Sequence, residues 1–366
     1  MTVDVRGTNG SNMGAQLMLR AIVEKLSPQF RLSAPPQMTA FDTRARLGLR
    51  QTLLWNQFPR ISKALGPAIP KFVQREFGLV DHRGVTGVVD ASGFAYSDSF
   101  TRRRIRREAI FDAAWKSSGV PIVLLPQAFG PFEDQAKREW SRRVLNSASV
   151  VFARDRISLE YAQSLRVAAD VRLCPDFTVP LAAPKIPSVS SEQFLAIVPN
   201  TKLVTTGKIS EDSYAKLLIG YADAARKNGI NALVIVHDAG DAAIAERIAS
   251  MAQMGVFRSD DPLVLKAALS QAEMVVSSRF HAIVSALSGS VPTLALGWSH
   301  KYSELMHDFH VDNWVAGLDE EPEDALTRLS ARPRDQIVDD LKQAKSEISA
   351  AVDSMWRLTI DTLAAG

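Results

Sequence analysis

Short apolar runs alternate with longer stretches of helical periodicity along most of this chain. The strand-like runs are residues 3–6, 87–91, 121–125, 150–153, 171–174, 194–198, 232–236, 274–276 and 292–296. Between them, apolar residues recur every three or four positions, as in residues 106–117, 135–146 and 214–227, which is typical of helices that bury one face. Strands that alternate with helices pair in parallel through helical crossovers. The sequence therefore predicts an α/β protein with mostly parallel sheets.

A proline-rich segment divides the chain near its middle. A length of 366 residues suggests two domains, and Pro180, Pro184 and Pro187 interrupt any regular pattern between the two halves. We predict an N-terminal α/β lobe over residues 1–180, a C-terminal α/β lobe over 181–332, and a long helix over 333–366 that could return to the first lobe. We expect two Rossmann-like lobes to face a cleft, with substrates at the carboxyl ends of the strands. A less regular insertion over 34–80 should hold helices around 44–57 and 61–77.

Composition excludes several classes of protein. Cys174 is the single cysteine, so neither an internal disulfide nor a thiolate metal cluster can form, and a reducing, cytoplasmic setting fits best. No apolar run approaches the length of a membrane span. The first residues reach glycine before an apolar stretch forms, so we expect no secretory signal.

Charge is distributed unevenly between the halves. Residues 1–180 hold 26 Lys and Arg against 16 Asp and Glu, whereas the remainder holds 17 against 24. This asymmetry predicts that the N-terminal half meets something anionic. The densest basic cluster lies at a predicted helix start and comprises Arg102, Arg103, Arg104, Arg106 and Arg107. It could contact an anionic membrane or a carrier phosphate, or it could simply be a solvated helix end.

Four loops of the N-terminal half carry polar side chains after predicted strands. The first runs from Gly7 to Gly14, where free amides at a helix start attract anions or sugar hydroxyls. Its glycine spacing matches neither the dinucleotide nor the P-loop signature. The other loops add a possible base, an amide and a guanidinium suited to carboxylate or phosphate. An ordinary turn, cap or ion-pair role stays open for each candidate: Asn12, Asp98, Gln127 and Arg154.

The C-terminal half contains a cation and an imidazole at one predicted helix start. A strand ending at residue 276 is followed by two serines, then Arg279 and His281. A fixed cation and a titratable imidazole beside a helix N-terminus predict an anion site with an acid–base group, although His281 could be structural. His237 and Lys301 follow other strands and are further binding candidates. Residues 307–310 carry ligand-type side chains without a third ligand group, so we expect no metal.

The order of these motifs resembles the polysaccharide pyruvyltransferase family. The resemblance covers residue 1 to about residue 315 of the sequence. The sequence departs from the family pattern in two places, since Ala15 stands where the family often has Asp, and Ala91 and Ser92 replace part of a glycine run. The matching segments are the Gly7 to Gly14 loop, Gly93 to Asp98, Pro126 to Pro131, Arg154 to Ser158, Pro175-Asp176, Ser278 to His281, Val291-Pro292 and Trp298 to Tyr302.

The resemblance implies a fold similar to GT-B glycosyltransferases and a specific reaction. The family joins a pyruvyl group from phosphoenolpyruvate to two sugar hydroxyls as a ketal and releases phosphate. Phosphoenolpyruvate is then a co-substrate, no cofactor is needed, and the acceptor is a glycan or lipid-linked sugar. The family's Arg-x-His motif carries over to Arg279 and His281, with Arg154 and Lys301 as further cations and Gln127, Asn12 and His237 as further substrate-binding residues. His281 would be the acid and Asp98 the base.

Two other functions stay open on the sequence. A GT-B glycosyltransferase that uses a nucleotide sugar would need the same two lobes and an anion site. A two-lobed binding protein without catalysis would normally be exported with a signal peptide. Nucleic acid is not an expected partner, because no recognition motif accompanies the basic residues. Lipid-linked acceptors would place the protein at the inner membrane face, with the arginine cluster on anionic headgroups.

Overall fold

The computed structural model describes residues 1–8, 10, 12–37, 39–53, 69–297 and 300–366. In this part of the chain the residues divide into two compact units. Unit 1 comprises Met1–Gly10, Met18–Phe177 and Ala351–Gly366, and unit 2 comprises Ser11–Leu17 and Thr178–Ala350. The sequence analysis placed boundaries at residues 180 and 332 and gave the first loop wholly to the N-terminal lobe.

Unit 1 is built on a parallel sheet with the order β4-β3-β2-β1-β5-β7-β8-β9, and β6 pairs with β7. Its strands are β1 (Thr2–Arg6), β2 (Arg31–Ala34), β3 (Arg50–Thr52), β4 (Leu79–Val80), β5 (Gly87–Asp90), β6 (Phe94–Tyr96), β7 (Ile122–Phe129), β8 (Val150–Ala153) and β9 (Asp170–Leu173). Its helices, of which the first continues from unit 2, are α1 (Met13–Leu26), α2 (Phe41–Arg46), α3 (Lys71–Glu76), α4 (Arg102–Ser117), α5 (Gln135–Ser147) and α6 (Arg156–Ser164).

Unit 2 is built on a second parallel sheet with the order β12-β11-β10-β13-β14-β15. Its strands are β10 (Phe194–Val198), β11 (Asn231–Val236), β12 (Gly255–Arg258), β13 (Met274–Ser277), β14 (Thr293–Leu296) and β15 (Val315–Ala316). Its helices, of which the last ends in unit 1, are α7 (Lys202–Thr205), α8 (Glu211–Lys227), α9 (Ala242–Met251), α10 (Pro262–Leu269), α11 (Phe280–Ser288), α12 (His300–Asp308), α13 (Pro322–Leu329) and α14 (Arg334–Ala364).

Parallel pairing confirms the predicted fold class. Each predicted strand is present, because the central strands are buried on both faces and therefore read as unbroken apolar runs. The predicted helix around 44–57 is wrong for residues 50–52, which form β3 and pair in parallel with β2 and β4. Gly48, with φ of +67°, lies between α2 and this strand. Residues 54–57 of that prediction, and 61–68 of the next one, lie outside the described residues.

The core of unit 2 explains why residues 11–17 belong to it. Met13, at the start of α1, is buried in one apolar cluster with residues of β10, β13 and α11, among them Ala196, Val275 and Ala282. The Gly-rich loop is therefore anchored by hydrophobic burial in the second unit. Separately, every helix in the described residues is too short or too polar to cross a lipid bilayer.

Candidate functional site

Three neighbouring strands of unit 2 end at the candidate site. β10 pairs in parallel with β11 on one side and β13 on the other, so their carboxyl ends lie together. The residues that follow these ends are Asn200, His237 and the Ser278–Arg279 turn. The register thus brings the predicted His237 and Arg279 to one edge of one sheet.

Buried hydroxyls and an amide fix the turn before α11. The Ser278 hydroxyl lies 2.6 Å from Tyr214 Oη, and the Ser278 carbonyl accepts bonds from Asn200 Nδ2 (2.8 Å) and Tyr302 Oη (2.7 Å). All four residues are buried, and burial raises the pKa of Tyr214 to about 12. Tyr214 and Asn200 were missed in the sequence because they are isolated polar residues, far apart in the chain, with no motif of their own.

Arg279 is held by two acidic residues of the loop after β11. Asp241 accepts from Arg279 Nε at 2.6 Å and from Nη2 at 2.5 Å, in the forked geometry typical of strong guanidinium–carboxylate pairs. Asp238 Oδ2 lies 3.7 Å from Arg279 Nη1. Asp241 was not a sequence candidate, and Asp238 adjoins the candidate His237. Arg279 is thus an ion-paired residue as well as the residue before α11.

Asn12 connects the Gly-rich loop to this ion pair. Its side-chain oxygen accepts from the Ala15 amide at 3.0 Å and so caps the start of α1, while its Nδ2 donates to Asp238 Oδ2 at 3.3 Å. Asn is a favoured N-cap residue because it satisfies an otherwise unpaired amide of the first turn. Asn12 therefore belongs with Arg279 in unit 2, whereas the sequence predicted it in the N-terminal lobe with the rest of residues 1–180.

His281 packs directly on Gly14. A Cβ built on Gly14 would lie 2.1 Å from His281 Nδ1 and 2.6 Å from Cγ. No side chain can occupy that space, so the glycine is needed for the close approach of the imidazole to the first turn of α1. The first turns of α1 and α11 consequently meet at His281.

His237 is a buried, neutral imidazole at the same edge. It is 4% exposed, and its Nε2 has no hydrogen-bond partner among the described residues. Burial, with the positive charges of His281 and Arg279 nearby, lowers the pKa of His237 to about 3. A neutral imidazole can donate or accept one bond to a ligand without adding charge.

Lys301 lies on the first turn of α12, close to the aromatic residues around the site. Its Nζ is 5.1 Å from the ring centre of Tyr302 and 5.8 Å from that of Phe280. The Phe280 ring in turn packs edge-on against His281, with centres 5.4 Å apart. Lys301 thus adds a second positive charge to the neighbourhood of Arg279 and His281.

Three predicted residues belong to unit 1 instead. Asp98 braces a turn, because its Oδ2 accepts from the Glu133 amide at 2.6 Å and its Oδ1 from the Asp134 amide at 3.3 Å. This geometry favours the turn role that the sequence left open, although for the segment before α5 rather than for α4. Gln127 is fully buried, with both amide atoms unpartnered among the described residues. Arg154 is buried and lies 3.8 Å from Asp176.

A buried charge network in unit 1 was missed in the sequence. Arg6 Nη1 lies 3.1 Å from Asp112, and Arg6 Nε donates to Asp4 at 3.3 Å. Burial, together with the negative charges of Glu108 and Asp90, raises the pKa of Asp112 to about 8 despite Arg6. These carboxylates sit within apolar strand and helix patterns, so they resembled exposed positions of amphipathic elements.

The arginine cluster opens α4. Arg102, Arg103, Arg104 and Arg106 are exposed, and the first turn contains no acidic residue. Positive side chains at a helix N-terminus oppose the helix dipole, so this placement does not stabilise the helix. The solvated position leaves both readings of the cluster open.

Comparisons with known proteins identify the fold and the family. UDP-GlcNAc 2-epimerase from Neisseria meningitidis has a TM-score of 0.61 and 11% identity, covering 100% of this chain and 99% of that one. The Anabaena protein HepE, solved with UDP, has a TM-score of 0.58 and 13% identity, covering 100% and 99%. At these identities the likeness shows the fold alone, a GT-B-like pair of parallel α/β units. No curated protein sequence matches this chain. The family model for polysaccharide pyruvyl transferase matches residues 70–300, so the chain belongs to this transferase family.

Proposed function

We propose that the protein transfers a pyruvyl group from phosphoenolpyruvate to two hydroxyls of a sugar, forming a ketal and releasing phosphate. The observation that carries the proposal is the meeting of two helix N-termini at His281, beside Arg279 and the unpartnered His237 Nε2. Family membership supports a transferase acting on polysaccharide. The donor and the roles of individual residues are our inference.

The edge of unit 2 has the properties that a small dianion requires. The side chain of Arg279, the residue before α11, makes no cap hydrogen bond to the helix, and a helix N-terminus attracts a phosphate or carboxylate. Lys301 and the Nη1 edge of Arg279 add positive charge, and His237 adds a neutral hydrogen-bonding group. An anion of three carbons with a carboxylate and a phosphate fits such a mixture of donors.

His281 is the proposed general acid. Protonation of the methylene carbon of phosphoenolpyruvate makes C2 cationic, and an acceptor hydroxyl then forms the first new C–O bond. Cleavage of the C2–O bond to phosphate and attack by a second hydroxyl complete the ketal. The two acceptor hydroxyls together lose two protons. One replaces the proton that His281 gave to the methylene carbon, and the other leaves with the phosphate. A positioned acid contributes about 10²–10⁴-fold to such a step.

The acceptor is proposed to be a glycan or a lipid-linked sugar at the inner membrane face. The exposed arginines at the start of α4 would then contact anionic headgroups or the carrier diphosphate, consistent with a cytoplasmic protein that binds the membrane peripherally. Asp98 is the proposed base, since a carboxylate has about four lone-pair sites and two backbone bonds leave others for a hydroxyl. Gln127 and Arg154 are the further binding residues proposed in unit 1.

A nucleotide-sugar glycosyltransferase is the second candidate. Solved structures of the same fold are described with UDP or UDP-GlcNAc bound. The two activities differ in the leaving group, which is phosphate in one case and a nucleoside diphosphate in the other.

The test is an incubation of the purified protein with phosphoenolpyruvate and candidate glycans. We expect phosphate release that depends on the acceptor and an acid-labile gain in glycan mass. His281→Ala should lower kcat by about 10²–10⁴-fold, whereas His310→Ala, which alters an exposed imidazole paired with Glu347, should have no effect. Release of a nucleotide from a UDP-sugar, without phosphate release from phosphoenolpyruvate, would establish the second candidate instead.

A further inference from the structure

The three nitrogens of the Arg279 guanidinium have different surroundings. Nε and one N–H of Nη2 donate to the buried Asp241 at 2.6 and 2.5 Å, so two of the five N–H donors of the group are used on this side. Nη1 lies 3.7 Å from Asp238 Oδ2, beyond hydrogen-bond distance. Among the contacts that the structure describes, both N–H bonds of Nη1 and the outer N–H of Nη2 therefore remain for an external anion.

The carboxylates of Asp238 and Asp241 differ in their exposure to solvent. The Asp241 side chain is fully buried, whereas 17% of the Asp238 side chain is exposed. Asp241 also accepts from the Thr201 amide at 2.9 Å, which fixes it in the loop. Asp241 therefore orients Arg279 from the protein side, and Asp238 lies at the edge that solvent and ligands can approach.

This geometry limits how far a bound anion can lie from Asp238. An anion oxygen hydrogen-bonded to Nη1 would be about 2.8 Å from it. Since Nη1 is 3.7 Å from Asp238 Oδ2, that oxygen lies within about 6.5 Å of the carboxylate. Asn12 Nδ2 holds Asp238 Oδ2 at 3.3 Å and Gly240 N holds Oδ1 at 3.1 Å, so the carboxylate is restrained near the site.

We propose that Asp238 is an affinity-determining residue that weakens the binding of anions at the exposed edge of Arg279. Its negative charge opposes the donor and, equally, the released phosphate, so the site exchanges product for substrate instead of retaining it. Only the identity of the donor rests on the proposed function. The effect on a bound anion follows from the positions of Arg279 and Asp238.

Asp238→Asn tests this directly. The amide oxygen can still accept from Gly240 N, so the turn is preserved, while the charge and the long bond from Asn12 Nδ2 are removed. We expect the full-length variant to bind both phosphoenolpyruvate and inorganic phosphate about tenfold more tightly by calorimetry, the factor for a unit charge about 6 Å from a dianion even in water. Phosphate should also become a stronger product inhibitor by a similar factor.

Asp223→Asn is the matched control, because Asp223 is an exposed carboxylate on α8 that pairs with Arg226 at 3.2 Å. It should leave both affinities unchanged, and melting temperatures of both variants show whether the fold is intact. Unchanged or weaker phosphate binding by a folded Asp238→Asn protein would overturn the inference. Tighter phosphate binding without any turnover of phosphoenolpyruvate would instead support the inference and refute the proposed function.

Discussion

Gly14→Ala is the substitution that separates the fold most cleanly from the proposed chemistry. The added methyl would lie 2.1 Å from His281 Nδ1, whereas carbon and nitrogen atoms in contact are about 3.5 Å apart. The backbone of Gly14 does not need a positive φ, so alanine is compatible with α1. The clash must therefore be relieved by a shift of the imidazole or of the first turn of α1.

The magnitudes indicate a loss of activity without loss of fold. Alanine gains at most about 1 kcal/mol over glycine in a helix, while overpacking costs about 1–3 kcal/mol. The free energy of unfolding should therefore fall by no more than about 3 kcal/mol. If His281 is the acid, its displacement should lower kcat by up to the full contribution of such a group, about 10²–10⁴-fold.

The assay is acceptor-dependent phosphate release from phosphoenolpyruvate, with thermal unfolding measured on the same samples. Gly220→Ala is the control, because the three atoms nearest to its added Cβ all belong to Pro322, the first at 3.0 Å, and not to His281. In the double variant Gly14→Ala/His281→Ala, the glycine substitution should have no additional effect. Full activity of Gly14→Ala would refute this reasoning. So would a further drop in kcat, by the same factor as in the wild type, when Gly14→Ala is added to His281→Ala.

Three further outcomes are expected. Burial raises the pKa of Asp112 to about 8, so the folded state binds a proton that the unfolded state has lost. The free energy of unfolding should therefore fall as pH rises from about 4 to 8. Asp112→Asn should flatten that pH dependence, measured by denaturant unfolding. The pKa of His237, lowered to about 3, acts in the opposite sense, because the unfolded state binds a proton that the folded state does not. The free energy of unfolding is therefore unaffected by His237 above pH 6.5 and falls as pH falls toward 3. His237→Gln should reduce this loss of stability in acid. Replacement of Arg102, Arg103 and Arg104 by serine should weaken binding to anionic liposomes, by about 1 kcal/mol per residue; binding that is unaffected and insensitive to salt would refute a membrane role for this cluster.

The fold class was predictable because central parallel strands are buried on both faces. Strands such as residues 194–198 and 121–125 are recognisable in the sequence as continuous apolar segments. β12, which is largely exposed, has no continuous apolar run and was not predicted. The edge strand β9 is also largely exposed, although residues 171–174 were predicted as a strand. The helix predicted around 44–57 failed similarly, because the pairing of β3 with β2 and β4 overrides local helical periodicity.

The candidate site was predictable only where its residues follow strands in recognisable motifs. Arg279 and His281 share one motif, and His237 directly follows β11. By contrast, Asp241 lies on no motif, and nothing in the sequence says that it would accept hydrogen bonds from two nitrogens of Arg279. For Asp98 the sequence left a base role and a turn role open, and only the structure shows that two backbone amides bind its carboxylate.

By itself, the amino-acid sequence determined the alternation of strands and helices, the order of the motifs and the chemical types available at each strand end, since these depend on local periodicity and composition. Tertiary structure alone decided which of those groups meet. Burial of Met13 assigns the first loop to unit 2, and strand register then brings Asn12, Gly14 and His281 to the same place. Contacts between residues more than 200 positions apart depend on packing, which no local pattern encodes.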